Sequence, residues 1–110
     1  MKITNIIYEN NDTRGYCDTC DYGANTIRDM YIEYEDGTSW NFHMNVKGSD
    51  WGITESDWML ILVNSSSIED IITAIKEKLQ YILSQDWLEK DIWYEYKGVK
   101  TYLTKEEGDK

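Results

Sequence analysis

Ile27-Arg28-Asp29-Met30-Tyr31-Ile32-Glu33-Tyr34-Glu35-Asp36-Gly37-Thr38-Ser39-Trp40-Asn41-Phe42-His43-Met44-Asn45-Val46 holds two alternating runs joined by a short polar segment. Met30, Ile32 and Tyr34 alternate with polar neighbours, as do Trp40, Phe42, Met44 and Val46, so each run has one apolar face at the period of a strand. Asp36-Gly37 marks a turn between them. A two-residue turn on that dipeptide would set Ile32 opposite Asn41 and mix the faces. A three-residue loop of Glu35, Asp36 and Gly37, with the glycine left-handed, instead sets Ile32 opposite Trp40 and Met30 opposite Phe42. Only the second register gives one continuous apolar face. It puts Asp29 opposite His43 on the other face, with Asn41 and Asn45 nearby.

Outward from this hairpin, residues 2–8 are β-branched and aromatic enough for a first strand, and residues 9–26 form a long polar loop that holds Cys17 and Cys20. Beyond the hairpin, Thr54 followed by Asp57 opens a short helix in which Trp58, Met59, Ile61 and Leu62 are apolar. Ser66 with Glu69 reads as a capping box for a second helix over 67–85. There Ile68, Ile71, Ile72, Ile75, Leu79, Ile82 and Leu83 keep the spacing of one helical face, and Trp87 is expected to close its end against the core. Asp91–Tyr96 and Val99–Thr104, joined through Lys97-Gly98, read as a second hairpin. The order predicts an α+β fold: an antiparallel sheet of about five strands with helices packed on one face. Residues 1–104 are expected to form the single domain and 105–110 a frayed charged tail.

Composition bounds the function. Twenty-one Asp and Glu against eleven Lys and Arg give a formal charge of -10. Binding a phosphate backbone directly would bring like charges together, so direct nucleic-acid contact is not expected, whereas a basic surface on another protein would be attracted. The first residues lack the pattern of a signal peptide and no apolar run reaches bilayer length, which predicts a cytosolic protein with no membrane contact.

In that compartment Cys17-Asp18-Thr19-Cys20 reads as a metal or redox pair before a structural disulfide. Two thiolates at this spacing can chelate a structural zinc ion, completed by His43, the only imidazole, and an aspartate, or by Asp18 and Asp21 alone. Two ordinary reduced cysteines, or a thiol pair acting chemically, are the alternatives, and for His43 alone the plain reading is an outward strand residue facing Asp29. With one His, no Gly-x-Ser-x-Gly turn and no Gly-rich phosphate loop, the sequence carries no catalytic constellation and is not read as an enzyme.

Five Trp and nine Tyr are more than one small core holds, and exposed aromatics ringed by carboxylates suit a protein-binding surface. The carboxylates placed there are Glu33, Glu35 and Asp36 at the hairpin tip and Glu69, Asp70 and Glu77 on the outer helix face. Gly15-Tyr16-Cys17-Asp18-Thr19-Cys20-Asp21-Tyr22-Gly23, continuing to Glu35-Asp36-Gly37-Thr38, resembles a segment of small uncharacterised proteins of low-GC bacteria and their phages. In size and acidity the chain is similar to phage anti-CRISPR proteins. That likeness of type implies an inhibitor that binds a basic surface of a host defence nuclease, such as a CRISPR effector, and blocks its nucleic-acid loading. The alternatives are a small zinc or thiol protein working through its cysteines, and a housekeeping domain.

Overall fold

Alternation of side chains along β2 (Asn25–Tyr34) and β3 (Ser39–Lys47) organises the molecule: every even-numbered residue of both strands is buried and every odd one is at least partly exposed. The computed structural model describes residues 2–13, 24–48, 51, 53–65 and 67–103. Within them the chain runs β1 (Ile3–Asn10), β2, β3, α1 (Glu55–Asn64), α2 (Ile68–Lys78), α3 (Gln80–Leu83), β4 (Lys90–Tyr96) and β5 (Val99–Tyr102). The strands form one antiparallel sheet in the order β1-β2-β3-β4-β5. This is a mixed α+β fold.

The central register is the one that segregates the faces, with Ile32 opposite Trp40 and Met30 opposite Phe42. The Tyr34 N–H donates to the Thr38 carbonyl, and Gly37 takes φ +91°, a conformation that a side chain would disfavour. Even-face side chains share one core with Trp58, Leu62, Ile71, Ile75, Leu79, Ile82 and Leu83 of the helices. Phe42 and Trp58 set their ring centroids 5.3 Å apart, and the Trp40 indole donates to the Tyr34 hydroxyl at 2.9 Å within that core.

α1 begins as its sequence requires. The Thr54 hydroxyl accepts from the Asp57 N–H, and the Asp57 carboxylate accepts from the Thr54 N–H at 2.8 Å. That backbone bond, helped by Lys78 at 3.5 Å, holds the Asp57 carboxyl below the ordinary carboxylate range. Trp58 and Leu62 are buried, Met59 and Ile61 are half-buried, and Leu60 and Val63 face out.

Three details differ from the sequence reading. Ser67, not Ser66, caps α2 by accepting from the Asp70 N–H; Ser66 itself lies outside the described residues. Both serines have an acidic residue three positions on, so the pattern alone fits either. The long helix is divided at Leu79, whose φ of -96° and ψ of 12° leave helical geometry, and it ends at Leu83. Trp87 is therefore carried past the helix into a turn, where it is 72% exposed and donates to the Gln85 side chain, while Leu88 fills the core beside it. The tail at 105–110 lies outside the described residues.

Arg28 sits on the even face at only 7% exposure. Its guanidinium is ion-paired with Asp12 and donates to Asn10 Oδ1 at 3.1 Å, and Asp12 also accepts from the Ile27 N–H at 2.7 Å. A buried cation needs such partners. Together they tie the end of β1 to the start of β2 on either side of the segment that holds the cysteines.

Candidate functional site

The pleat that buries the even residues presents the odd ones on the opposite face. Strand pairing sets Ile7 beside Tyr31, Glu9 beside Asp29, Asp29 beside His43 and His43 beside Trp93. The same parity brings Glu33, Lys47, Asp91 and Glu95 to this face, and in β5, where the pairing switches parity, Lys100 lies opposite Glu95. Carboxylates therefore outnumber lysines here, as in the whole chain.

His43 is at the middle of the face. Its Nδ1 lies 2.7 Å from Asp29 Oδ1, and since a carboxylate only accepts, the Nδ1–H donates. Nε2 lies 3.7 Å from Asp91 Oδ2, beyond hydrogen-bond reach. Asp29 also accepts from Asn11 Nδ2 at 3.3 Å. Glu9 directly opposite Asp29 is an unfavourable cross-strand pair of like charges. His43 and Asn11 hold Asp29 in place beside it.

Aromatic side chains lie among these charges. The Trp93 ring is 5.2 Å from that of His43, and Lys100 Nζ lies 4.2 Å from the Trp93 centroid and 5.8 Å from that of Tyr102, distances at which a cation is attracted to the ring face. Ile7, Glu9, Asp29, Tyr31, His43 and Trp93 line a shallow concavity of about 330 Å³. Ile7 and Tyr102 are the exposed apolar groups of the face.

Of the residues expected from sequence, Glu33 lies on this face, and Glu35 and Asp36 are exposed in the adjoining turn. Asp36 accepts from the Thr38 hydroxyl at 2.6 Å and the Thr38 N–H at 3.0 Å, bonds that lower its carboxyl pKa and order the tip. Glu69 and Asp70 are exposed in the first turn of α2, and Glu77 is exposed near its end. Tyr34 and Ser67 line one cavity of about 290 Å³, so the hairpin tip and the start of α2 are at the same end of the molecule.

His43 is brought to Asp29 as the register requires. Cys17 and Cys20 lie outside the described residues, and so does any ion held between them. Among the described residues no three His, Cys, Asp or Glu side chains converge as a metal site. Asp91, Trp93 and Lys100 were not singled out by sequence reading as neighbours of His43. Their signal is the alternation of β4 and β5, which has meaning only once β4 is known to lie beside β3 and β5 beside β4. No helix among the described residues is long and apolar enough to cross a membrane. No family model, curated protein or solved structure matches the chain.

Proposed function

We propose that this chain is a binding protein whose odd-numbered sheet face docks on a basic surface of another protein. Even-face side chains are buried in one cluster with those of the helices, and the odd face is the one this reading assigns to the partner. One observation carries the reading: Glu9, Asp29, Glu33, Asp91 and Glu95 share a single sheet face with Ile7, Tyr31 and Trp93. Aromatic anchors inside a charged rim are the usual anatomy of a protein interface, and a negative rim steers the molecule towards positive partners. The acidic rim continues through Glu35 and Asp36 at the tip; Glu69, Asp70 and Glu77 form a separate helical group.

Within this reading the positively charged nucleic-acid channel of an RNA-guided nuclease is the surface class that fits best, because its lysines and arginines are spaced for phosphates and accept carboxylates in their place. The chain would then act by occupancy, excluding guide or target. An order-of-addition cleavage assay on purified RNA-guided nucleases tests it. Inhibition is expected when the protein is added before target DNA, is weakened when DNA is loaded first, and falls about tenfold or more, the loss of about 1.4 kcal/mol of binding, in Glu9→Lys/Glu33→Lys/Glu35→Lys. Equal inhibition by that variant would remove the odd face from the account.

A further inference from the structure

The two edges of the sheet are finished differently. β5, at one edge, has four residues and carries Lys100, the short and charged form that discourages further pairing. β1, at the other, has eight residues, Ile-Thr-Asn-Ile-Ile-Tyr-Glu-Asn, with neither proline nor lysine. A bulge at its start, between Ile3 and Asn5, leaves the run from Asn5 to Asn10 regular.

Backbone direction along β1 follows from its bonds to β2. The Asn11 N–H donates to the Ile27 carbonyl and the Thr13 N–H to the Asn25 carbonyl, so odd residues turn their amides towards β2. By alternation Ile6 and Tyr8 turn theirs away from the sheet, where no described strand pairs with them. Ile7, on the odd face, is 49% exposed at the same edge.

We propose that β1 pairs antiparallel with β1 of a second copy about a twofold axis at Ile7, joining two sheets into one. The outward-directed groups can meet in three ways: Ile6 opposite Ile6, Ile6 opposite Tyr8, or Tyr8 opposite Tyr8. The first sets Ile7 against Asn5, and the last sets Ile7 against Glu9. Only the middle register lays Ile7 on Ile7 as a close non-hydrogen-bonded pair and gives Glu9 the uncharged Asn5 as its neighbour. A second copy is the occupant because this strand is complementary to itself: the twofold makes the Ile6–Tyr8 and Asn5–Glu9 pairs twice, sets the one Ile7 pair on the axis, and brings no two carboxylates face to face across the seam.

The charge of -10 on each copy opposes association. Salt screens it within about 8 Å at physiological ionic strength, so dimerisation strengthens as salt is added, whereas docking on a basic partner weakens. The two readings therefore fail separately.

Sedimentation equilibrium of the full chain, at concentrations up to about 1 mM because a seam below about 1,200 Å² holds weakly, tests the pairing. Reversible dimerisation is expected, greater in about 0.5 M than in about 0.15 M NaCl. Ile7→Lys and Ile7→Glu should each be monomeric, since like charges meet on the axis, and an equimolar mixture of the two should regain the dimer. Far-UV circular dichroism of each variant checks the fold. A wild-type chain that stays monomeric at the highest concentration and salt overturns the proposal. So does undiminished dimerisation of either single variant, and a mixture that fails to recover overturns the register.

Discussion

Phe42 and His43 are adjacent in the chain and lie on opposite faces of one strand, and the two faces obey different rules. On the even side Phe42 is closed in by Trp58, and the large apolar side chains are buried together in one cluster. On the odd side His43 lies between the carboxylates of Asp29 and Asp91, with Glu9 directly opposite Asp29. Burial of apolar surface stabilises the first face. The second holds a like-charge pair, an arrangement that costs stability.

The largest difference is expected when neighbours on opposite faces are truncated. Phe42→Ala removes a fully buried ring and should cost about 3–5 kcal/mol, while Asn41→Ala on the odd face should change stability by less than about 0.5 kcal/mol. Urea midpoints at unchanged m-value measure both, and similar losses would mean the faces are misassigned.

A middling effect is expected where a charge breaks the apolar rule of the even face. Asp12→Ala leaves the buried Arg28 guanidinium without its ion pair, and because the Asp12 side chain is itself 40% exposed the cost should be about 2 kcal/mol rather than that of a fully buried pair. Thermal unfolding would show it, and a neutral result would mean that Asn10 and the Ile27 and Ile53 carbonyls, which also accept from the guanidinium, suffice.

The smallest effect is expected at α1. Asp57 binds its proton more weakly folded than unfolded, so its contribution is complete above the unfolded pKa of about 3.9 and disappears as pH falls through the lower folded value. Asp57→Asn should therefore reduce the loss of stability on acidification below about pH 4, with a cost near neutrality of about 1 kcal/mol for the weakened cap. Denaturation at pH 7 and pH 3 separates the two effects; an unaltered acid slope would assign the loss to other carboxylates.

How far the molecule can be read from its residues depends on the range of the interactions involved. The β2–β3 register was legible because two alternating runs and one glycine turn admit a single arrangement with an unmixed face. The cap at Thr54 was legible for the same local reason. Trp87 was misplaced because helical periodicity says where a face points and not where the helix stops; once the chain turns after Leu83, Leu88 takes the core position. Arg28 shares the parity of Met30, but its partners Asn10 and Asp12 are visible only when β1 is laid beside β2. The site on the odd face was legible in part, as Asp29 opposite His43. Asp91, Trp93 and Lys100 reach it through the β3–β4 and β4–β5 ladders, and the first of these joins strands separated by all three helices.

Under the proposed function the odd face, and not acidity in general, makes the contact with a basic partner. This is decided by the Kd, as a function of NaCl concentration, for any nuclease that the order-of-addition assay finds inhibited, comparing Glu9→Lys/Glu33→Lys with Glu69→Lys/Glu77→Lys. The sheet-face variant should bind about tenfold or more weakly with a flatter salt dependence, while the helix variant stays within about twofold of the wild type. Equal weakening by both variants, or loss confined to the helix variant, would contradict the account.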